Sequence, residues 1–309
     1  MTHPPRQWPE PLRPGSVVAV VAPSGPIRPE RLQRGVDLLQ SWGLVIKLGP
    51  NTSGVHDRLG YLSADDQARA AELTAAWSDP EVAAVWAARG GYGAQRMIDL
   101  IDFDALRAAG PKHFLGFSDI TALHDRIGRE LDQVTLHSPA VAAAVAQLAD
   151  PPSVEQLRRL IFEPAKPGTE LATGSTLVPG TAQGLLIGGN LALVASSLGV
   201  DPAPDRPSIL FLEDIDEEGY RVDRMLTQLL RSGWLSAITG IIIGQFTDTD
   251  DEDQLQRLFE DRFAGLGVPV ITGVEAGHGE RNLTLPLGAE VTLTAGPDGG
   301  SLVLGRPGR

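Results

Sequence analysis

The feature that most constrains the fold is an unbroken apolar run, Ser16-Val-Val-Ala-Val-Val-Ala-Pro-Ser-Gly25, stopped by Pro, Ser and Gly. A strand with apolar side chains on both faces must be covered on both, as a parallel strand is when helices flank its sheet. A helix should follow. Residues 29–42 place Leu32, Val36, Leu38 and Leu39 near helical spacing, and Gly43 ends that segment before the strand Leu44-Val-Ile-Lys-Leu48. Strand, helix, strand in this order is the mark of a doubly wound α/β sheet.

The alternation continues. Ser63 is a plausible cap for an Ala-rich helix running to Trp77, and Val82-Ala-Ala-Val-Trp-Ala-Ala88 is the next strand. Directly behind it stands Arg89-Gly-Gly-Tyr-Gly-Ala-Gln-Arg96, then a helix toward Leu100. Glycines at the carboxyl end of a strand let the backbone approach a ligand closely, and open α/β sheets bind at such crevices; a tight turn would use the same residues. The spacing is neither a dinucleotide fingerprint nor a P-loop.

Next comes His113-Phe-Leu-Gly-Phe-Ser-Asp-Ile-Thr-Ala-Leu-His124, read as a buried strand, a sharp turn and a helix start. Ser118 sits on the turn, where a hydroxyl is pushed out of the sheet as in a nucleophile elbow. Gly116 supplies the small residue two before it, but Ile120 stands where the usual elbow has its second glycine, and on this segment alone a helix cap at Ser118 or Asp119 is the commoner use of such residues. Two adjacent strand ends would bring the glycine loop and the serine together. The strand 134–139 and two helices up to Ile161 follow.

Residues 163–180 are rich in Pro, Gly and Thr and mark a composition break. The expected organisation is an N-terminal α/β domain over 1–163, a linker over 164–182 and a second domain over 183–309. In the second half, Ser208-Ile-Leu-Phe-Leu212 is a buried strand delivering Glu213 and Asp214 at its end. The helix 220–232 has Val222, Met225, Leu226, Leu229 and Leu230 at core spacing. A strand over 241–244 enters the acidic loop Asp248-Thr-Asp-Asp-Glu-Asp253, which lacks the glycine of a calcium loop and reads as a solvated helix start. The strand after Val268 leads to Gly277-His-Gly279, and short strands at 290–294 and 301–304 finish the chain.

At 309 residues two domains are expected, and about three quarters of the unfolded surface can be buried. The chain has no cysteine, which excludes thiolate zinc sites, iron–sulfur clusters and a cysteine nucleophile. The first 15 residues lack the apolar core of a signal peptide and no later run is long enough to span a bilayer, so a cytoplasmic protein without a membrane partner is expected. A formal net charge of -13 argues against nucleic acid as a partner. No metal or cofactor is expected.

A serine hydroxyl needs a base to take its proton and a third group to hold that base. Of six histidines, His3, His56 and His113 lie in terminal, loop or strand-start positions, His124 is angled away on the helix after Ser118, and His137 ends a strand. His278, on a glycine loop after a strand, is the best candidate for the base. Glu213, immediately after apolar strand residues, is the candidate acid, with Asp214 facing oppositely. The order Ser118, Glu213, His278 matches that of α/β-hydrolases.

Six ordered motifs together resemble the LD-carboxypeptidase family of serine peptidases, which includes the microcin C immunity peptidases. They are Arg89-Gly-Gly-Tyr-Gly93, Gly116-Phe-Ser-Asp119, Gly188-Gly-Asn-Leu191, Leu212-Glu-Asp-Ile215 with Tyr220 and Arg224, Gly240-Ile-Ile-Ile-Gly-Gln245, and Gly277-His-Gly279. The resemblance spans Val17 to Leu304. It implies a flavodoxin-like or Rossmann-like N-terminal domain, a swivelling C-terminal β/β/α domain, a site between them and a homodimer. It assigns the nucleophile to Ser118, the acid to Glu213 and the base to His278, with the Asp119 N–H and one from the Gly90-Gly91 turn as oxyanion hole. The Asp119 side chain would be only a cap.

The implied reaction releases a terminal D-amino acid, D-alanine, from a murein tetrapeptide in wall recycling. Arg89 and Arg281 are candidates to receive the substrate carboxylate, each weighed against an ordinary surface ion pair. One rival is the microcin-immunity type, whose substrate needs an aromatic surface for a nucleobase; Trp234 and Tyr220 are available, though both suit core helix positions better. The other is a muropeptide-binding protein without catalysis.

Overall fold

The structure, a computed structural model, describes residues 5–142, 150–249 and 251–305. It divides into two compact units, one made of Arg6–Ala165 with Thr284–Pro286, the other of Lys166–Leu283 with the chain from Leu287.

The first is the sheet unit. It contains β1 (Val17–Val21), α1 (Pro29–Ser41), β2 (Val45–Leu48), α2 (Asp66–Ser78), β3 (Val82–Ala87), α3 (Ala94–Met97), α4 (Phe103–Ala109), β4 (His113–Gly116), α5 (Thr121–Glu130), β5 (Thr135–His137) and α6 (Pro151–Phe162). The strands lie in the order β5-β4-β3-β1-β2, all parallel. The apolar runs become strands for the reason the composition gives: Val18, Val20 and Val21 of β1, all of Ala84–Ala87 and Phe114–Leu115 have no exposed surface. Burial on both faces selects β-branched and small residues without alternation.

One local expectation changes. The cap of α2 is Asp65, whose carboxylate accepts from Ala68 N at 2.7 Å, because the Ser63 hydroxyl is already committed to Ala22 O at 2.7 Å. Of the two helices expected before Ile161, α6 is present, capped by Asp150 with prolines in its first turn; residues 143–149 lie outside the described ones.

The second is the barrel unit, with β6 (Glu170–Val178), β7 (Gly180–Asn190), α7 (Leu191–Ser196), β8 (Ser208–Ile215), α8 (Gly219–Ser232), β9 (Ile238–Thr247), α9 (Glu252–Phe263) and β10 (Val270–Thr272), followed later by β12 (Glu290–Gly296) and β13 (Gly299–Leu304). Between them β11 (Leu285–Leu287) lies beside β5 and completes a six-stranded sheet in the other unit. The barrel closes in the order β10-β6-β13-β12-β7-β8-β9. Its β7, β8, β9 and β10 are parallel and joined by α7, α8 and α9; its other pairings are antiparallel. Those helices pack Val222, Leu226, Leu229, Leu255, Phe259 and Phe263 onto Leu210, Leu212, Ile241 and Ile243.

The expected linker over 164–182 is instead mostly strand. Its threonines suit a pleated surface, Leu171 and Ala172 are buried, and β6 fills the gap between β10 and β13 that closure of the barrel requires. Only Pro179 separates β6 from β7, which begins at Gly180. The acidic loop is a helix start as expected: Asp251 caps α9, accepting from Gln254 N at 3.0 Å, while Asp250 falls outside the described residues.

Candidate active site

In the sheet unit the decisive observation is the backbone of Ser118, with φ 66°, between the end of β4 and α5. A residue with a Cβ occupies this left-handed region only under strain, and strand-to-helix turns that project a nucleophile are built this way. A helix cap has extended backbone, so Ser118 is not one. Tight packing below the turn sustains the strain: a Cβ at Gly116 would stand 3.0 Å from Ala87 Cβ and 3.1 Å from the Ile120 side chain. Ile120 replaces the usual second glycine without conflict, since it belongs to the helix and packs inward, fully buried.

The glycine loop does come to the serine. A Cβ on Gly90 would lie 2.9 Å from Ser118 Cβ, so only glycine fits there; Gly91 lies instead against Gly25. Arg89 is exposed, and its Nη1 donates to Pro26 O at 2.8 Å. Asp119 does not cap its own helix. Its buried carboxylate accepts from Ser24 Oγ at 2.5 Å and from Ala94 N at 2.8 Å, and burial raises its pKa against the pull of those donors.

The sheet unit's histidines are not poised as bases. His113 and His124 are buried, and that burial lowers both pKa values to about 4; the His124 Nε2–H donates to Gly116 O at 2.9 Å. His137 is fully buried, edge-on to Phe117 at 5.9 Å. His56 Nδ1 accepts from Arg58 N and Leu59 N and shapes its own loop.

In the barrel unit, alternation along β8 separates two neighbouring carboxylates. Glu213 has no exposed surface and accepts from His278 Nδ1 at 2.6 Å. Asp214, on the helix side, accepts from Asn190 Nδ2 at 2.7 Å, Ala192 N at 2.9 Å and Ile215 N at 2.9 Å. Burial pushes the Asp214 pKa up to about 6, aided by the charge of Glu213. For His278, burial lowers the pKa, but the hydrogen bond and charge of Glu213, with a contribution from Asp214, outweigh it and leave a net rise. With Nδ1–H given to Glu213, the neutral ring carries its lone pair on Nε2, the tautomer a general base needs.

The main chain around His278 is held by side chains from elsewhere in the barrel unit. Gly277, at φ 127°, lies where a Cβ would meet Glu213 Oε2 at 2.7 Å, so the loop can cross directly over the carboxylate. Gly277 N donates to Asn282 Oδ1 and Gly279 N to Gln245 Oε1, each at 2.9 Å. Gln245 reaches the loop because the β8–β9 register shifts between Leu212 and Asp214, a bulge of the kind that re-aims side chains. Arg281 pairs with Glu275 at 2.6 Å, the surface ion pair weighed against a substrate role. Tyr220 is not a core residue: it is exposed, with Arg221 and Arg224 over its ring at 5.8 and 5.3 Å, whereas Trp234 is half-buried and packs against the barrel unit's core as expected. The reason is that α8 begins at Gly219, so its apolar stripe of Val222, Leu226 and Leu229 turns Tyr220 outward.

Residue types alone do not single out Ser24, Gln245 or Asn282 as parts of these sites, nor Arg69, whose Nη1 donates to Gly93 O of the glycine loop at 2.8 Å. Gln245 lay within a quoted motif. Arg69 gave no signal, as an arginine in an Ala-rich helix ordinarily faces water.

Among the described residues no group of three or more His, Asp or Glu side chains is arranged to hold a metal ion, and no helix is long and apolar enough to cross a membrane. Comparison with known proteins agrees with this architecture. Residues 18–138 match the LD-carboxypeptidase N-terminal domain and residues 183–293 the LD-carboxypeptidase C-terminal domain. A Streptomyces coelicolor protein provisionally named a carboxypeptidase is 49% identical over 298 residues, covering 96% of this chain and 95% of its own. The murein tetrapeptide carboxypeptidase of Pseudomonas aeruginosa is 33% identical over 298 residues, covering 89% and 92%. The crystal structure of a muramoyltetrapeptide carboxypeptidase from Oxalobacter formigenes superposes with TM-score 0.80 at 28% identity, covering 94% of this chain and 99% of its own. With both halves matched and relatives of this kind aligned along nearly its whole length, the chain belongs to the LD-carboxypeptidase family of peptidases.

Proposed function

We propose that the protein is a serine carboxypeptidase that removes the terminal D-amino acid, D-alanine, from murein tetrapeptides. Ser118 attacks the carbonyl of the last amide while His278 Nε2 takes its proton; Glu213 holds the ring and stabilises the imidazolium. The Asp119 N–H and one from the Gly90-Gly91 turn receive the oxyanion. His278 then returns the proton to the leaving amine, and water, activated by the same imidazole, frees the acyl-enzyme. Arg281, or Arg89, takes the substrate carboxylate. The single observation that carries this reading is the buried Glu213–His278 pair at 2.6 Å, an orientation that turns an ordinary imidazole into a base for an alcohol.

The test is incubation with a tetrapeptide containing meso-diaminopimelate, followed by mass. Loss of one alanine by the native protein and none by Ser118→Ala supports the proposal. Binding of the peptide by both without turnover would favour the non-catalytic muropeptide-binding reading.

A second reading, the microcin-immunity type, draws support from the exposed Tyr220, which offers a nucleobase an aromatic face once Arg221 and Arg224 move aside. It requires cleavage of a peptidyl-aminoacyl sulfamoyl nucleoside at a rate that drops in Tyr220→Ala.

A further inference from the structure

Beside Ser118 lies a buried polar cluster whose side chains the proposed reaction does not itself use. Ser24, Arg69 and Asp119 have essentially no exposed surface, and they come from three different segments of the sheet unit. Asp119 ties the loop after β1 to the end of the glycine loop, because its Oδ2 accepts both Ser24 Oγ and Ala94 N. Arg69, from α2, closes the same circuit with its guanidinium: Nη1 donates to Gly93 O at 2.8 Å and to Pro23 O, Nε to Ala64 O at 3.2 Å, and Nη2 pairs with Asp66. Asp66 is held in turn by Arg96 at 2.9 Å. The middle of the glycine loop is pinned from the same side, since Gly25 N donates to Gly90 O at 3.2 Å.

A buried carboxylate and a buried guanidinium are costly to desolvate, and the cost is tolerable only where hydrogen bonds satisfy them. Here three of those bonds go to main-chain atoms of the loops beside the serine, Pro23 O, Gly93 O and Ala94 N, and a fourth to the Ser24 hydroxyl in the first of them. A helix cap would need none of this. The arrangement instead fixes Pro23–Gly25 and Gly93–Ala94 to the residue that follows Ser118.

We propose that Asp119 and Arg69 are positioning residues that clamp the 89–94 loop against Ser118, so that the Gly90-Gly91 turn is already in register with the oxyanion when it forms. This rests on the reading of Ser118 as nucleophile and of that turn as oxyanion donor. Preorganised donors act on the transition state and not on the bound substrate, so loosening them lowers kcat and leaves KM alone.

The experiment measures kcat, KM, melting temperature and inhibition by a peptidyl boronic acid, which forms a tetrahedral adduct on a serine. Asp119→Ala is expected to lower kcat by about 10²–10³-fold, the range for a lost oxyanion donor, and to weaken the boronate by a similar factor with KM within about threefold. Asp119→Asn, whose amide oxygen can accept both donors, is expected to stay within about tenfold of the native kcat. Should Asp119→Ala fail to fold, Ser24→Ala removes one of the two donors and is expected to lower kcat about fivefold to tenfold, again at constant KM. Native kcat in Asp119→Ala or Ser24→Ala, a parallel change in KM, or an Asp119→Asn as impaired as Asp119→Ala would each overturn the clamp. Turnover surviving in Ser118→Ala would instead retire the nucleophile reading itself.

Discussion

The two units hold the side chains proposed to react by opposite means. Ser118 is placed by its backbone, a left-handed residue wedged between Gly90 and the packing above Gly116. His278 is placed by other side chains, with Glu213 on its ring and Gln245 and Asn282 on the main chain either side of it. Each route suits the group it serves. A hydroxyl on one rotatable bond is aimed by fixing φ and ψ, whereas an imidazole must also be held in one tautomer, which the acceptor at Nδ1 does here. The serine should therefore be sensitive to added volume nearby, the histidine to lost hydrogen bonds.

The largest effect expected on the histidine side is that of Glu213→Gln. Its volume is conserved but its acceptor is no longer charged, and steady-state kinetics should show kcat reduced by about 10³–10⁴-fold, as when an orienting carboxylate becomes an amide. Its pH profile sharpens the point. The base must be neutral, and Glu213 raises the pKa of His278 above that of an ordinary histidine, so the acidic limb of native kcat/KM should lie higher than an unperturbed imidazole would place it. Without the Glu213 charge, burial dominates and the limb should move down. A limb that stays put would disconnect His278 from the rate.

On the serine side, Gly90→Ala places a methyl 2.9 Å from Ser118 Cβ and should reduce kcat by about 10²–10³-fold without unfolding the unit. Native kcat there would break the contrast between the units. Gln245→Ala removes a single hydrogen bond from Gly279 N and should lower kcat about tenfold, equivalent to the ordinary worth of such a bond. The smallest change in kcat is expected from Arg281→Ala. If Arg281 leaves Glu275 to bind the substrate carboxylate, KM rises about tenfold or more at constant kcat; an unchanged KM leaves it as a surface ion pair.

Legibility in the sequence follows the same division. The sheet unit's strands were readable because helices cover both faces and leave long apolar runs, and Ser118 was readable from its place at the end of one. The barrel was harder. Strand β6 reads as a linker because a half-exposed strand needs few large apolar residues, and β11 is three residues containing a proline, too short for any periodic signal. Glu213 and His278 are candidates on strand ends and flanking glycines, and what the structure adds is the hydrogen bond between them. Arg69 and Ser24 are not candidates, because what makes them special is the set of carbonyls and the carboxylate around them, contributed by residues distant in sequence. The left-handed backbone of Ser118 decides between elbow and cap, a choice that residue types alone leave open.

The path of the chain between Leu283 and Leu287 bears on how this protein can be dissected. After building most of the barrel, the polypeptide lends three residues to the other unit, where Thr284 N donates to Gln156 Oε1 at 2.9 Å and β11 borders β5, before it resumes. A fragment cut at residue 165 would thus lack its own border strand and present the bare rim of β5, a template for self-association. Chimeras between family members inherit the same rule: exchanging the first half faithfully means carrying a tripeptide from near the far end of the second.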